Sequence, residues 1–144
     1  MSIEIISRAF IQRDGKILVA HKKDAYNTFL PGGHVEFGEA SDVALNRELV
    51  EEMGVNACIG EFIGLLEYKF HEGVKIVHEI NIVFQVSIDE DEIRSKESEL
   101  EFKWIPIEAA QSYFLLPEEM VNLVKNWLDA GTAMRIYSEE KRND

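Results

Sequence analysis

The stretch that most restricts this chain is Ala40 to Met53, which contains neither proline nor glycine and is followed at once by Gly54. Such a run predicts a helix. Ser41 or Glu39 is placed to cap its start, and Gly54 to stop it in the left-handed conformation that glycine adopts without steric cost. At about 100° per residue, Leu45, Leu49, Met53, Val50 and Val43 fall on one side, and Arg47, Glu51, Glu48 and Glu52 on the other. The apolar side must face a core, which the rest of the chain has to supply.

That core is expected from β-structure. Ile3 to Ile11 is rich in β-branched residues, Arg13-Asp14-Gly15 marks a turn, and Lys16 to Ala20 is apolar again, which predicts an opening hairpin. Residues 23–34 carry Asp24, Asn27, Pro31, Gly32 and Gly33, a density of turn formers that predicts a surface loop. Phe62 to Phe70 and Val74 to Ile88 read as two long strands separated by His71-Glu72-Gly73. The almost wholly charged DEDEIRSKESELE at 89–101 reads as a solvated loop, and Phe102 to Ile105 as a short strand. Pro117-Glu118-Glu119 opens a last helix whose Met120, Val124, Trp127 and Leu128 are expected in the core, with Gly131 as its stop. The polar residues after Tyr137, SEEKRND, read as a frayed tail, so a single domain over 1–138 with a tail at 139–144 is expected.

A chain of 144 residues suits one compact domain with a real core. Acidic residues outnumber basic ones 27 to 15, a formal charge of -12, which argues against electrostatic attachment to extended nucleic acid or to an anionic membrane. A phosphate-bearing ligand would then need local help, such as a bridging divalent cation. Cys58 is the single cysteine, so no intrachain disulfide can form. The N-terminal MSIEIISRAF lacks a basic start before a long apolar run, and no apolar segment approaches bilayer-spanning length. A cytoplasmic protein is expected.

Glu48, Glu51 and Glu52 stand at i, i+3 and i+4, where each like-charged pair costs a few tenths of a kcal/mol, roughly. A hard cation would reverse that penalty. Mg²⁺ or Mn²⁺ prefers oxygen ligands and suits one or two carboxylates plus substrate phosphates. Small Ala40 and Ala44 on the same face are expected to leave room above it. The bland alternative is the ordinary solvent face of an acidic helix.

The wider pattern weighs against the bland alternative. Gly33, Glu39, Arg47-Glu48-Leu49, Glu51-Glu52 and Gly54-Val55, at these spacings, resemble the Nudix box at each of its defined positions. The order of elements around it also resembles the Nudix fold: an α+β chain forming an α/β/α sandwich with a mixed β-sheet and a catalytic loop-helix-loop. The resemblance implies hydrolysis of a pyrophosphate bond in a nucleoside diphosphate linked to another moiety X, with Mg²⁺ or Mn²⁺ as cofactor. It implies Glu48, Glu51 and Glu52 as metal ligands and the Gly32 carbonyl as a further one. Arg47 would hold the glutamates by charge-assisted hydrogen bonds and Glu39 would anchor the loop. Glu51 is the candidate for the base that takes the proton from water, although relatives recruit that base from different places. Glu97, seven residues before Trp104, resembles the place where some relatives put an additional acidic ligand, and reads equally well as surface.

Other prominent residues carry bland readings. His34 could touch phosphate, but a loop histidine is more often a surface residue. His78 could face core or cleft. Tyr26, Phe29 and Phe70 could stack a base, yet aromatics near strands are usually core or rim. Tyr68 is too loosely placed to identify X. A non-catalytic nucleotide-binding or regulatory module of the same fold is the alternative to an enzyme. The expected partner is a small nucleotide diphosphate, with a homodimer allowed.

Overall fold

The computed structural model describes residues 1–141. In chain order the elements are β1 (Ser2–Phe10), β2 (Gln12–Arg13), β3 (Lys16–Lys22), β4 (Gly32–His34), α1 (Ser41–Met53), β5 (Ala57–Glu72), β6 (Lys75–Ile88), β7 (Leu100–Pro106), a 3₁₀ turn (Ile107–Ala109), α2 (Met120–Ala130) and β8 (Met134–Glu139). A five-stranded sheet runs in the order β4-β1-β6-β5-β8, and a three-stranded sheet in the order β2-β3-β7. The larger sheet is mixed: β1 lies parallel to β6 and β8 parallel to β5, while β4 and the β5–β6 hairpin pair antiparallel.

Two apolar layers hold this together. On one side Leu45, Leu49 and Met53 of α1 pack with Ala9, Ile11, Leu18 and Val86. On the other Leu123, Val124 and Met120 of α2 pack with Phe10, Ile63, Leu66 and Val83. Leu45, Leu49, Ile63, Leu66 and Leu123 have no exposed surface. Each such side chain contributes about 1.5–3 kcal/mol of burial free energy. Helices on both faces of a sheet make the expected α/β/α sandwich.

Several expectations change in detail. The opening hairpin is much smaller than predicted. β1 spends its length between β4 and β6, and after Ile11 only Gln12–Arg13 folds back, pairing Gln12 with Ile17. Asp14 and Gly15 turn with φ of 52° and 76°, the consecutive positive values that a two-residue hairpin loop needs. The second hairpin is longer than predicted, starting at Ala57 and turning after the Glu72–Lys75 pair. Among the described residues no side chain caps α1: its N-cap is Ala40, and the Ser41 carbonyl instead accepts from the Ser7 hydroxyl at 2.7 Å. Gly54 does stop the helix, at φ 66°.

The apolar stripe of α1 is narrower than its sequence suggested. Val43 and Val50 are exposed, and the buried positions are Ala44, Leu45, Leu49 and Met53. Ala44 is fully buried, so its small side chain lets the helix approach the sheet and leaves no open space above it. Leu128 of α2 is likewise exposed, and Trp127 is half-buried with its indole N–H donating to Gln85 Oε1 at 3.1 Å. The segment expected to fray after Tyr137 instead continues β8 through Glu139, and the Glu140 amide donates to the Lys69 carbonyl at 2.8 Å. Its alternation MRIYSE is weakly apolar, and backbone pairing to β5 carries it. Of the expected tail, residues 142–144 lie outside the described residues. Among the described residues no helix is long and apolar enough to cross a membrane.

Candidate active site

The loop before α1 is shaped by what cannot fit there. Gly32 has φ 148°, and a Cβ on it would collide with the Ser7 carbonyl of the neighbouring strand. A Cβ on Gly33 would overlap the Glu48 carboxylate. The glycine pair therefore lets β4 lie against β1 on one side and receive Glu48 on the other.

Arg47 is the hub beyond this contact. Its Nε and Nη2 donate to the two Glu39 oxygens at 2.8 and 2.9 Å, the bidentate fork that guanidinium and carboxylate geometry favours. Nη1 donates to Glu48 Oε1 at 2.9 Å and to Glu51 Oε2 at 3.5 Å, and Nη2 also reaches the His34 carbonyl at 3.1 Å. Hydrogen bonds from Arg47 and from the Glu36 amide hold the Glu39 carboxyl down at about 2. The same pairing, with Glu39 contributing most, raises Arg47 still further above its ordinary value. Glu39 thus ties the loop to the helix through the Glu36 amide and Arg47.

The three helix glutamates part company. Glu48 and Glu52 line a cleft of about 1060 Å³, together with Arg8, Gly32, Gly33, Lys22 and Glu79. Glu51 is not among the cleft residues; its side chain is 54% exposed and leans toward Arg47. Among the described residues, no three His, Cys, Asp or Glu side chains form a ready-made metal cage. What the cleft does hold is Glu52 Oε2, a buried oxygen with no hydrogen-bond partner among the described residues. Burial first, then Glu48, Glu97 and Glu51, push the Glu52 carboxyl up to about 8, against the opposing pull of Arg8. A buried, partnerless carboxylate beside a second carboxylate is a strongly cation-seeking arrangement. Two carboxylates with the Gly32 backbone alongside fit a hard divalent ion that keeps part of its coordination for water and phosphate.

The charged loop ends at 99, because β7 starts at Leu100, and Glu97 stays exposed in it, outside the cleft. The loop nevertheless docks on the end of α1, where the Lys96 amide donates to the Glu52 carbonyl at 2.8 Å, and Glu97 is near enough to raise the Glu52 carboxyl. His34 lines the cleft but is exposed, with Nε2 3.6 Å from Glu4 Oε2. His78 is not among the cleft residues; its Nε2 lies 3.3 Å from Glu67 Oε1 and its ring is edge-on to Tyr137. Tyr26, Phe29 and Phe70 all line the cleft, and Tyr68 stacks on Phe70 with centroids 5.4 Å apart.

Sequence reasoning missed Arg8, Asn81 and Glu79. Arg8 Nε donates to Asn81 Oδ1 at 3.2 Å, and the Asn81 amide donates to Glu79 Oε1 at 2.9 Å. The available signal was a polar residue inside an otherwise apolar strand: Arg8 in IISRAF and Asn81 in INIVF.

The NUDIX domain model matches residues 6–129 of this chain. The chain belongs to the Nudix domain family. Among relatives of this Nudix chain, the CTP pyrophosphohydrolase of Escherichia coli (strain K12) is 43% identical over 65 residues, covering 42% of this chain and 47% of the relative. The chain thus matches about half the length of that relative. The solved structure of the E. coli ORF135 protein is 28% identical with a TM-score of 0.59, covering 89% of this chain and 90% of that one. The MutT protein from Methanosarcina mazei Go1 shares the fold at a TM-score of 0.73 and 21% identity, over 90% of this chain and 95% of its own.

Proposed function

We propose that this Nudix chain hydrolyses a pyrophosphate bond within a nucleotide, a nucleoside diphosphate linked to another moiety X, with Mg²⁺ or Mn²⁺ as cofactor. The observation that carries this reading is the buried, partnerless Glu52 Oε2 beside Glu48. A bound divalent cation supplies an activated water and neutralises phosphate charge. Glu48 and Glu52, with the Gly32 carbonyl, would hold it, and Glu97, whose loop already docks on the end of α1, would join them only by turning into the cleft. Arg47 keeps Glu48 from turning away from the cleft. Glu51, exposed outside the cleft lining and tethered weakly to Arg47, would accept the proton from water. The name of the E. coli relative makes a cytidine nucleotide the first compound to try. The setting proposed is cytoplasmic.

The test is a panel of nucleoside triphosphates including CTP, with nucleotide sugars, ADP-ribose, dinucleoside polyphosphates and NADH, assayed with Mg²⁺ and Mn²⁺. Cleavage is expected within a diphosphate linkage, with label from ¹⁸O-water in a phosphate product and none of simple monoesters turned over. Tight binding of a panel nucleotide without any hydrolysis would instead establish a binding module.

A further inference from the structure

Arg8 is a half-buried guanidinium that forms no ion pair among the described residues, in a chain with 27 acidic residues. Buried charges are normally paired. Its described partners are neutral oxygens: Nε donates to Asn81 Oδ1 at 3.2 Å and Nη1 to the Leu30 carbonyl at 3.0 Å, with the guanidinium 5.6 Å from the Phe29 ring centre. Among the described residues Nη2 makes no hydrogen bond. The carboxylates of Glu79, Glu52 and Glu48 act on Arg8 through space without an ion-pair contact, so its hydrogen bonds to the protein all go to neutral acceptors that an amide side chain could serve.

The mounting of Arg8 is rigid. It sits within β1, paired with Gly32 on one side and Val83 on the other. Asn81 is fully buried, and both Glu79 Oε1 (2.9 Å) and the Leu66 carbonyl (3.3 Å) accept from its Nδ2, which fixes its Oδ1 as the acceptor for Arg8. The other two arginines of this half of the molecule are used differently. Arg47 engages its three nitrogens with carboxylates and a carbonyl, and Arg13 spends both Nη groups on the Ile88 and Glu90 carbonyls. Arg8 alone of the three lines the cleft, beside Glu48 and Glu52, with a donor to spare.

We infer that Arg8 is a phosphate ligand: its free Nη2, aimed by Asn81 and the Leu30 carbonyl, grips a phosphate of a nucleotide whose neighbouring phosphate lies at the Glu48–Glu52 pair. The inference rests on the reading of the site proposed above. A planar, always-charged fork held from two sides suits phosphate better than a flexible ammonium does. Asn81 acts through Arg8 and is a positioning residue.

The probe is inorganic pyrophosphate with Mg²⁺, titrated by calorimetry into wild type, Arg8→Lys and Arg8→Gln. Arg8→Gln should bind it about 10- to 100-fold more weakly, the range of a charge-assisted hydrogen bond, and Arg8→Lys should recover part of the loss. Mn²⁺ affinity, followed by electron paramagnetic resonance, should be unchanged or tighter in Arg8→Gln, because removing a cation near Glu52 cannot repel another. A structural clamp would give the opposite result, with Mn²⁺ affinity and melting temperature falling together. In the wild-type protein, pyrophosphate should shift the guanidinium NMR resonances of Arg8 and leave those of Arg13 in place, which tests the contact even if Arg8→Gln does not fold. Unchanged pyrophosphate binding in Arg8→Gln, or an unshifted Arg8 resonance, would overturn the inference. Arg8-dependent pyrophosphate binding without hydrolysis of any nucleotide would remove the proposed reaction and keep the phosphate ligand. Hydrolysis with unaltered KM in Arg8→Gln would do the reverse.

Discussion

Around Arg47 the polar groups satisfy one another: Nε, Nη1 and Nη2 are all engaged, and both Glu39 oxygens accept from the fork. Deeper in the same site, Glu52 Oε2 has no partner among the described residues and Arg8 keeps Nη2 uncommitted. A satisfied network resists rearrangement, whereas a partnerless buried carboxyl oxygen and a half-buried guanidinium with a spare donor favour arriving groups of complementary sign. On the proposed reading the two regions divide the work between holding the loop and helix in place and receiving a cation and a phosphate.

The sharpest way to break this division is Glu52→Gln. It removes the receiving carboxylate while keeping its shape, so turnover should fall about 10³-fold, in line with the several kcal/mol a catalytic metal supplies. The rise in melting temperature that Mg²⁺ or Mn²⁺ gives the wild type should disappear as well. Equal metal-induced shifts in both proteins, read by calorimetry, would show that Glu52 receives nothing.

A smaller effect is expected at the hub. Arg47→Lys cannot reproduce the bidentate grip on Glu39 while also reaching Glu48, and turnover should drop about 10- to 100-fold, with KM moving less. An unchanged kcat in steady-state kinetics would leave Arg47 as a helix-surface residue.

The two regions should also answer pH with opposite signs. In the metal-free folded protein Glu52 holds its proton up to about 8, against an ordinary 4.5. Between those values the folded state binds a proton that the unfolded chain has lost, so stability falls as pH rises from about 4.5 to 8 and the loss is complete above that. Glu39, held at about 2, behaves in reverse: its contribution is present above 4.5 and is lost as pH falls toward 2. Urea melts of the metal-free protein should show the high-pH decline, and Glu52→Gln should flatten it. A wild-type curve already flat from pH 5 to 8 would contradict the burial of Glu52.

The smallest change is expected for Glu97→Gln, no more than about threefold in turnover, because an exposed charge acts on Glu52 through solvent. A loss as large as that of Glu52→Gln would mean that the loop between β6 and β7 brings Glu97 over the cleft during turnover.

The residues from Gly33 to Val55 were readable because their interactions are local: a glycine, an anchor and a helix turn, with Arg47 touching Glu39, Glu48 and Glu51 within eight positions. Even there, spacing alone did not separate Glu51 from Glu48 and Glu52. Their i, i+3 and i+4 positions share a broad face, and the contact of Glu48 with Gly33 sets which carboxylates look inward. The rest of the site escaped because it is non-local. Arg8 and Asn81 meet across 73 positions, and only the parallel β1–β6 register brings them together. β8 was missed for a related reason, since it is held by backbone pairing to β5 and its side chains announce little.

That parallel β1–β6 register also has a consequence in time. A pairing that must close a long loop forms late in folding, while a helix with its own stop signal forms early. The carboxylates of α1 are therefore expected to stand together before Arg8 arrives, so that a partly folded chain would bind divalent ions ahead of nucleotides. Pulsed hydrogen exchange during refolding would show this as protection of the α1 amides preceding that of β1, and simultaneous protection of the two would count against it.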